Sequence, residues 1–381
     1  MATKRKRELA DDQRTDSLEE LLSALKTPDS AARAFRYIMN AHDIDLDKLL
    51  LEQLLREPRT TPTPPTANYA DIAPALGLDP ARGAHDIPYS ALPRARVPTP
   101  LFREIVRGID AAQAQLGPPT EHHTAAARAR FLAPIFSRLV AVFDGAYRSF
   151  PACIPEGRIA SGGAVEHNFK AFGARPVLLV EYRRESGFAD ERLGAIAHVA
   201  AACDAADRES ARKGLGVPVR AILCDGDTFE VFAFDGSTNP PAFSRGRDID
   251  LRSLLELPKG ALPRDFIRAL RPICEVVFDV LLGGYVASAE AYRRREAERT
   301  ANDGQPRPSS DKWEAAIGSA QQALEKFREA DVKRRGKLVS EANALVEEAM
   351  GLLKSSTDWV PDVYRPPPFM SGWDEEQVDK I

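Results

Sequence analysis

The segment Pro176-Val-Leu-Leu-Val-Glu181-Tyr-Arg183 constrains the fold more than any other part of the chain. Its aliphatic, β-branched run reads as a buried central strand. Successive strand side chains alternate faces, so Val177, Leu179, Glu181 and Arg183 are expected on one side and Leu178, Val180 and Tyr182 on the other. Upstream, Ala164-Val-Glu166-His-Asn-Phe-Lys170 alternates as well. The turn Gly173-Ala-Arg-Pro176 can fold it back as an antiparallel partner. Glu166 and Glu181 would then converge on a site the size of one metal ion.

The rest of the chain gives this hairpin a frame. An N-terminal helical segment is expected over 1–57, with a capping box at Ser17-Leu-Glu-Glu20, and a Pro-rich linker and irregular region over 58–119. Within the latter, a helix over Leu101–Leu116 stops at Gly117-Pro-Pro119. A helix over Phe131–Tyr147 then shows an apolar face of Ile135, Leu139, Val142 and Phe143. Strands are expected near Arg158–Ser161, Val165–Phe172 and Val177–Arg183. A long helix over Asp190–Lys213 follows, with a small-residue face. Val217–Cys224 and Phe229–Phe234 form two further strands, joined by the turn Asp225-Gly-Asp227. Residues 120–258 therefore predict one α/β (α+β) domain, a central mixed sheet flanked by helices.

Residues 259–358 are expected to be helical. Phe266, Leu270, Ile273, Val277 and Val280 mark one seam; Trp313, Ile317, Ala320, Leu324 and Phe327 mark a second. Leu338, Ala342, Leu345, Ala349 and Leu352 mark a third. Such spacing predicts an antiparallel helical hairpin, packed as core or offered to a protein partner. The segment 359–381 is expected to be a disordered tail.

Composition removes several classes. A net charge of -4 over 381 residues excludes a uniformly basic nucleic-acid binder, so polyanion contact must come from a local patch such as Arg293–Arg295 or Lys333–Arg335. Cys153, Cys203, Cys224 and Cys274 are widely spaced without a CxxC. This argues against zinc and against a disulfide scaffold, and fits reduced thiols inside a cell. No secretory leader opens the chain, and the apolar run Val280–Ala289 is too short to span a bilayer. Lys4-Arg-Lys-Arg7 reads equally as a nuclear import tag or a solvated terminal charge run. No glycine-rich phosphate loop, HExxH or nucleophile elbow is present.

Helix, three strands, helix and two strands, with Glu166 and Glu181-Tyr-Arg183, resemble the PD-(D/E)XK (restriction-endonuclease-like) superfamily. The chain is more closely similar to an expanded set of fungal restriction-endonuclease-like proteins of mostly unassigned role. The likeness rests on His123–Phe136, Glu166–Gly173 and Ile222–Glu230, within a span from Glu121 to Met350. It implies that Glu166 and Glu181 hold Mg²⁺ (or Mn²⁺) and that the chain hydrolyses nucleic-acid phosphodiester bonds.

The lysine of the triplet is replaced by Arg183, which can clamp a phosphate but does not deprotonate and so cannot act as a base. Lys170, expected on the face of Glu166, offers a substitute amine. His198 stands where many relatives place a glutamine, and Glu121, beside His122 and His123, is an auxiliary metal candidate. Each residue also has a plain structural reading. Glu181 can pair with Arg183 at a strand end, Glu166 and His198 can be ordinary polar positions, and Glu121 can serve a helix dipole. Three functions follow: a metal-dependent nuclease, an inactive relative that binds nucleic acid or protein, and a scaffold acting through its C-terminal helices.

Overall fold

A computed structural model describes residues 68–117, 122, 124–153, 157–159, 164–172, 175–182, 189–216, 218–224, 228–246, 249–250, 263–303 and 310–359. The segment expected to be helical over 1–57, the basic run Lys4–Arg7 and the tail beyond 359 lie outside them, as do Glu121 and Arg183. The chain divides into two units, Met1–Thr63 and Pro64–Ile381, and all described residues belong to the second. The segments read from the sequence as 120–258 and 259–358 are thus parts of one body.

A short helix α1 (Tyr69–Ile72) and two 3-10 turns lead to α2 (Thr99–Leu116) and α3 (Ala125–Ala141). Gly117 ends α2 at φ 79° with its amide bonded to the Gln113 carbonyl, the stop that Gly-Pro-Pro announces. Thr124 opens α3 by accepting a hydrogen bond at Oγ1 from the Ala127 amide at 3.1 Å. This helix begins and ends about six residues before the stretch expected from Phe131 to Tyr147. Asp144 (φ 47°) and Gly145 (φ 81°) turn the chain out of it.

Seven strands form one sheet in the order β1 (Tyr147–Cys153), β2 (Ala164–Ala171), β3 (Arg175–Tyr182), β4 (Val219–Cys224), β5 (Thr228–Asp235) and β6 (Ala242–Arg245). The short β7 (Ile249–Asp250) also pairs with β5. Among the described strands β3 and β4 pair in parallel, and α4 (Ala189–Arg212) makes the crossover that a parallel pair requires. The mixed sheet between helical layers is the expected fold class.

Two details differ from the sequence reading. The first strand is Tyr147–Cys153, not the region near Arg158–Ser161. It is an edge strand, and its register shifts between Phe150 and Ala152, on either side of Pro151, a residue that sheets admit at edges and bulges. Arg158 instead docks on α4. In β3 the pairing slips between Phe169 and Lys170 of β2, and Val177 and Leu178 enter the same core cluster. The expected alternation therefore starts at Leu178 rather than Val177.

Core residues lie on both faces of the sheet. On one side the alanine-rich face of α4 (Ile196, Ala200, Cys203) meets Val219, Ala221, Leu223, Phe232 and Phe234. Small side chains let this helix approach the strands closely. On the other side α3 and the helix α5 (Pro263–Asp303) cover Leu178, Val180, Ile222 and Val231. The rings of Phe143, Tyr147, Phe278 and Phe327 pack edge-on in this layer.

The last helices, α6 (Ser310–Arg335) and α7 (Val339–Asp358), form the expected hairpin. Trp313, Ile317, Ala320 and Phe327 of the second seam are buried in the same cluster as the strands. The second seam is therefore core. In the third seam Ala342 and Ala349 are buried, Leu353 rather than Leu352 takes the deepest place, and Leu338 is 45 % exposed. The stretch Phe266–Arg295 of α5 is long and apolar enough to span a membrane by length and composition, with mean hydropathy 1.5, but 72 % of it is buried in this core. Cys203, Cys224 and Cys274 are buried.

An extended strap over residues 90–97 binds distant parts together. The Ala95 and Arg96 amides donate to the carbonyls of Glu275 and Phe327, and Arg271 Nη2 donates to the Val97 carbonyl at 2.8 Å. Arg96 Nη1 lies 2.6 Å and Arg271 Nε 3.0 Å from Glu275 Oε1.

Candidate metal centre on the paired strands

The site is built by strand register. β2 and β3 pair antiparallel with His167 opposite Val180, Asn168 opposite Leu179 and Phe169 opposite Leu178. Both strands run on past His167 and Val180, and against β1 the strand β2 carries one extra residue between Val165 and Asn168, so position 166 sits in an irregular stretch of β2. A row crosses the sheet from β3: Glu181 pairs with Leu223 of β4, and Leu223 with Glu230 of β5. Positions 181, 223 and 230 thus share one cross-strand row. The side chains of Glu166 and Glu181 lie outside the described residues, as do Arg183 and Glu121.

The row faces α4. Leu223 belongs to the core on that side, and Glu230 is buried and held by Arg192 of α4, with Nε 2.8 Å from Oε1 and Nη2 2.8 Å from Oε2. Neither Arg192 nor Glu230 is prominent in the sequence reading. The available signal was a lone carboxylate between Phe229 and Val231 in an otherwise apolar strand.

Asn168 is also buried, and its Oδ1 accepts no hydrogen bond among the described residues. It stands two residues from Glu166 on β2 and opposite Leu179, itself two residues from Glu181. An orphaned oxygen beside two carboxylate positions suits a hard cation, which takes oxygen ligands directly or through water.

His198 is buried within α4, only 7 % exposed, rather than set on a helix edge. Lys170 is engaged elsewhere: its Nζ lies 3.3 Å from Glu209 Oε1, and Glu209 also takes Lys213 at 2.7 Å. Four positions along a strand is roughly 13 Å, so Lys170 ties β2 to the far end of α4. His122, beside Glu121, is buried against Phe131, with ring centroids 5.0 Å apart. Neither of its ring nitrogens has a hydrogen-bond partner among the described residues. Among those residues no group of three or more His, Cys, Asp or Glu side chains is placed to hold a metal ion.

A second charged cluster fastens the segment before β2 to α4. Arg158 Nε donates to Asp204 Oδ1 at 2.7 Å, and its Nη2 pairs with Asp207. Burial pushes the Asp207 carboxyl up, against the pull of Arg158. Gly236 leaves space for this pair, since a Cβ there would fall 2.0 Å from Asp207 Oδ2. The basic runs are largely paired at the surface: Arg293 with Glu314, Lys333 with Glu341 and Arg335 with Asp331.

No protein-family model and no curated protein matches this chain. Among solved structures, the cryo-EM structure of a DrdV–DNA complex aligns at 12 % identity over 71 % of this chain and 27 % of that chain, with a TM-score of 0.26. The present chain thus spans about a quarter of that chain's length, 27 %. A likeness at this level carries no argument about fold or activity.

Proposed function

We propose that the chain is a PD-(D/E)XK-type domain that holds a divalent cation on Glu166 and Glu181 and hydrolyses nucleic-acid phosphodiester bonds. The observation that supports this reading is the antiparallel pairing of β2 with β3, which sets the two glutamate-bearing strands side by side within a helix, three-strand, helix, two-strand frame. The orphaned Asn168 Oδ1 adds an oxygen of the right type beside them. Mg²⁺, when bound, polarises a phosphoryl oxygen and acidifies a water. Arg183 binds the phosphate charge without exchanging a proton. Lys170, held by Glu209, anchors a strand instead of serving the reaction. His198, buried on α4, and Glu121 remain auxiliary candidates.

The test is cleavage of end-labelled single- and double-stranded DNA and RNA by the purified chain with Mg²⁺ or Mn²⁺. Cleavage that disappears in Glu181→Ala and in chelator is expected. A wild-type chain that cuts none of these substrates with either ion rejects the catalytic reading.

One observation favours a second reading, an inactive relative that binds nucleic acid: the triplet has arginine where an exchangeable amine is expected. Binding that persists in chelator without turnover would select it.

A further inference from the structure

β4 turns one cation away from α4. Val219 and Ala221 enter the α4-side core, so Arg220 between them faces α5. There a cavity of about 230 Å³ separates the sheet from α5, bordered by Val177, Val231, Val276 and Val280 and closed by Leu92 of the strap. Gly283 of α5 opens into it: a Cβ built on this glycine meets no atom within 4 Å.

The charges on the wall do not balance. Asp279 is matched by Arg328, with Nε 2.6 Å from Oδ1 and Nη2 2.9 Å from Oδ2. Arg220 makes no hydrogen bond or ion pair among the described residues. Asp279 and Asp235 attract it only at longer range, while burial lowers its pKa. With Asp235 outside the lining, two guanidiniums and one carboxylate leave the cavity wall one positive charge, which favours a counter-ion there.

We propose that this cavity binds a small monocarboxylate with an apolar body, its carboxylate on Arg220 and its body against the valines and Gly283. A guanidinium presents a planar fork that matches a carboxylate in two parallel hydrogen bonds. Size agrees: an apolar cavity of about 150 Å³ accepts benzene, so the larger volume here takes a ring with a short acid arm. The inference is independent of the glutamate pair, which lies towards the opposite face of the sheet.

The experiment is calorimetric titration of the full chain with phenylacetate and with its neutral counterpart 2-phenylethanol. Phenylacetate is expected to bind the wild type about tenfold more tightly than the alcohol, a difference that Arg220→Met removes. Gly283→Leu, which fills the cavity, is expected to abolish binding of both while the chain still melts cooperatively. This second variant keeps the test intact if Arg220→Met fails to fold. Equal affinity for acid and alcohol in the wild type overturns the proposal. So does undiminished phenylacetate binding in a folded Arg220→Met or Gly283→Leu chain, or no binding of either compound at millimolar concentration.

Discussion

Gly284 of α5 rests against Val177 of β3 so closely that a Cβ on the glycine would fall 1.9 Å from the valine Cγ1. Only the Val177 side chain stands between the sheet and its covering helix here. Its neighbour Gly283 faces open space. The two adjacent glycines therefore make opposite predictions.

Gly284→Ala forces Val177 or α5 to shift and is expected to destabilise the chain by about 1–3 kcal/mol, the range for overpacking a core. Gly283→Ala adds a methyl into space within a helix and is expected to stabilise by about 0.5–1 kcal/mol, because glycine is the poorer helix former. Urea denaturation of both variants checks the pair. Equal effects would mean that the two positions do not differ in packing.

The exchange Arg183→Lys restores the amine that the resembled triplet carries. If Glu166 and Glu181 hold the metal, this variant is expected to cut nucleic acid faster than the wild type, by about a hundredfold or more, the range that a general acid or base contributes. Initial cleavage rates with Mg²⁺ measure it. The double change Arg183→Lys with Glu181→Ala is expected to be inactive.

Burial raises the Glu275 carboxyl, despite Arg96 and Arg271 beside it. A folded-state pKa above the unfolded one means that the folded chain holds this proton more tightly. The linked stabilisation is complete below the unfolded value and disappears as pH rises through the folded value. Glu275→Gln lacks this ionisation. The melting temperature of the variant relative to wild type is therefore expected to rise between about pH 4 and pH 7. A difference that stays constant across that range would show that Glu275 does not titrate in this way.

Ending the chain after residue 309 removes Trp313, Ile317, Phe327 and Leu353 from the core on the α5 side. Loss of one large buried side chain commonly costs about 2–5 kcal/mol, and net stabilities are only about 5–15 kcal/mol. The shortened chain is expected to lose cooperative unfolding and bind ANS, read by fluorescence and near-UV circular dichroism. Retention of a sharp transition would mean that the hairpin is an appendage.

The elements readable in the sequence were those with a strong period or a strong stop. Gly117, the aliphatic run of β3 and the alanine face of α4 each act within a few residues. The antiparallel pairing of β2 with β3 was readable for the same reason, since a period of two marks both strands. The bulge at Val177 was not, since Val177 and Leu178 are both apolar and carry no mark of face. Pro151 disguised β1, because proline in an edge strand looks like a break. The third helical seam drifted from Leu352 to Leu353, as a 3.6-residue helix departs from a heptad count over a few turns. Arg192 with Glu230, and Arg96 with Glu275, are separated by 38 and 179 positions, and no local pattern joins such partners.

The strap at 90–97 has a consequence for synthesis. Its amides await acceptors at Glu275 and Phe327, and the strands at mid-chain await the same late helices. A ribosome delivers these helices after the strands, so an oily sheet surface must persist on the nascent chain until they have emerged.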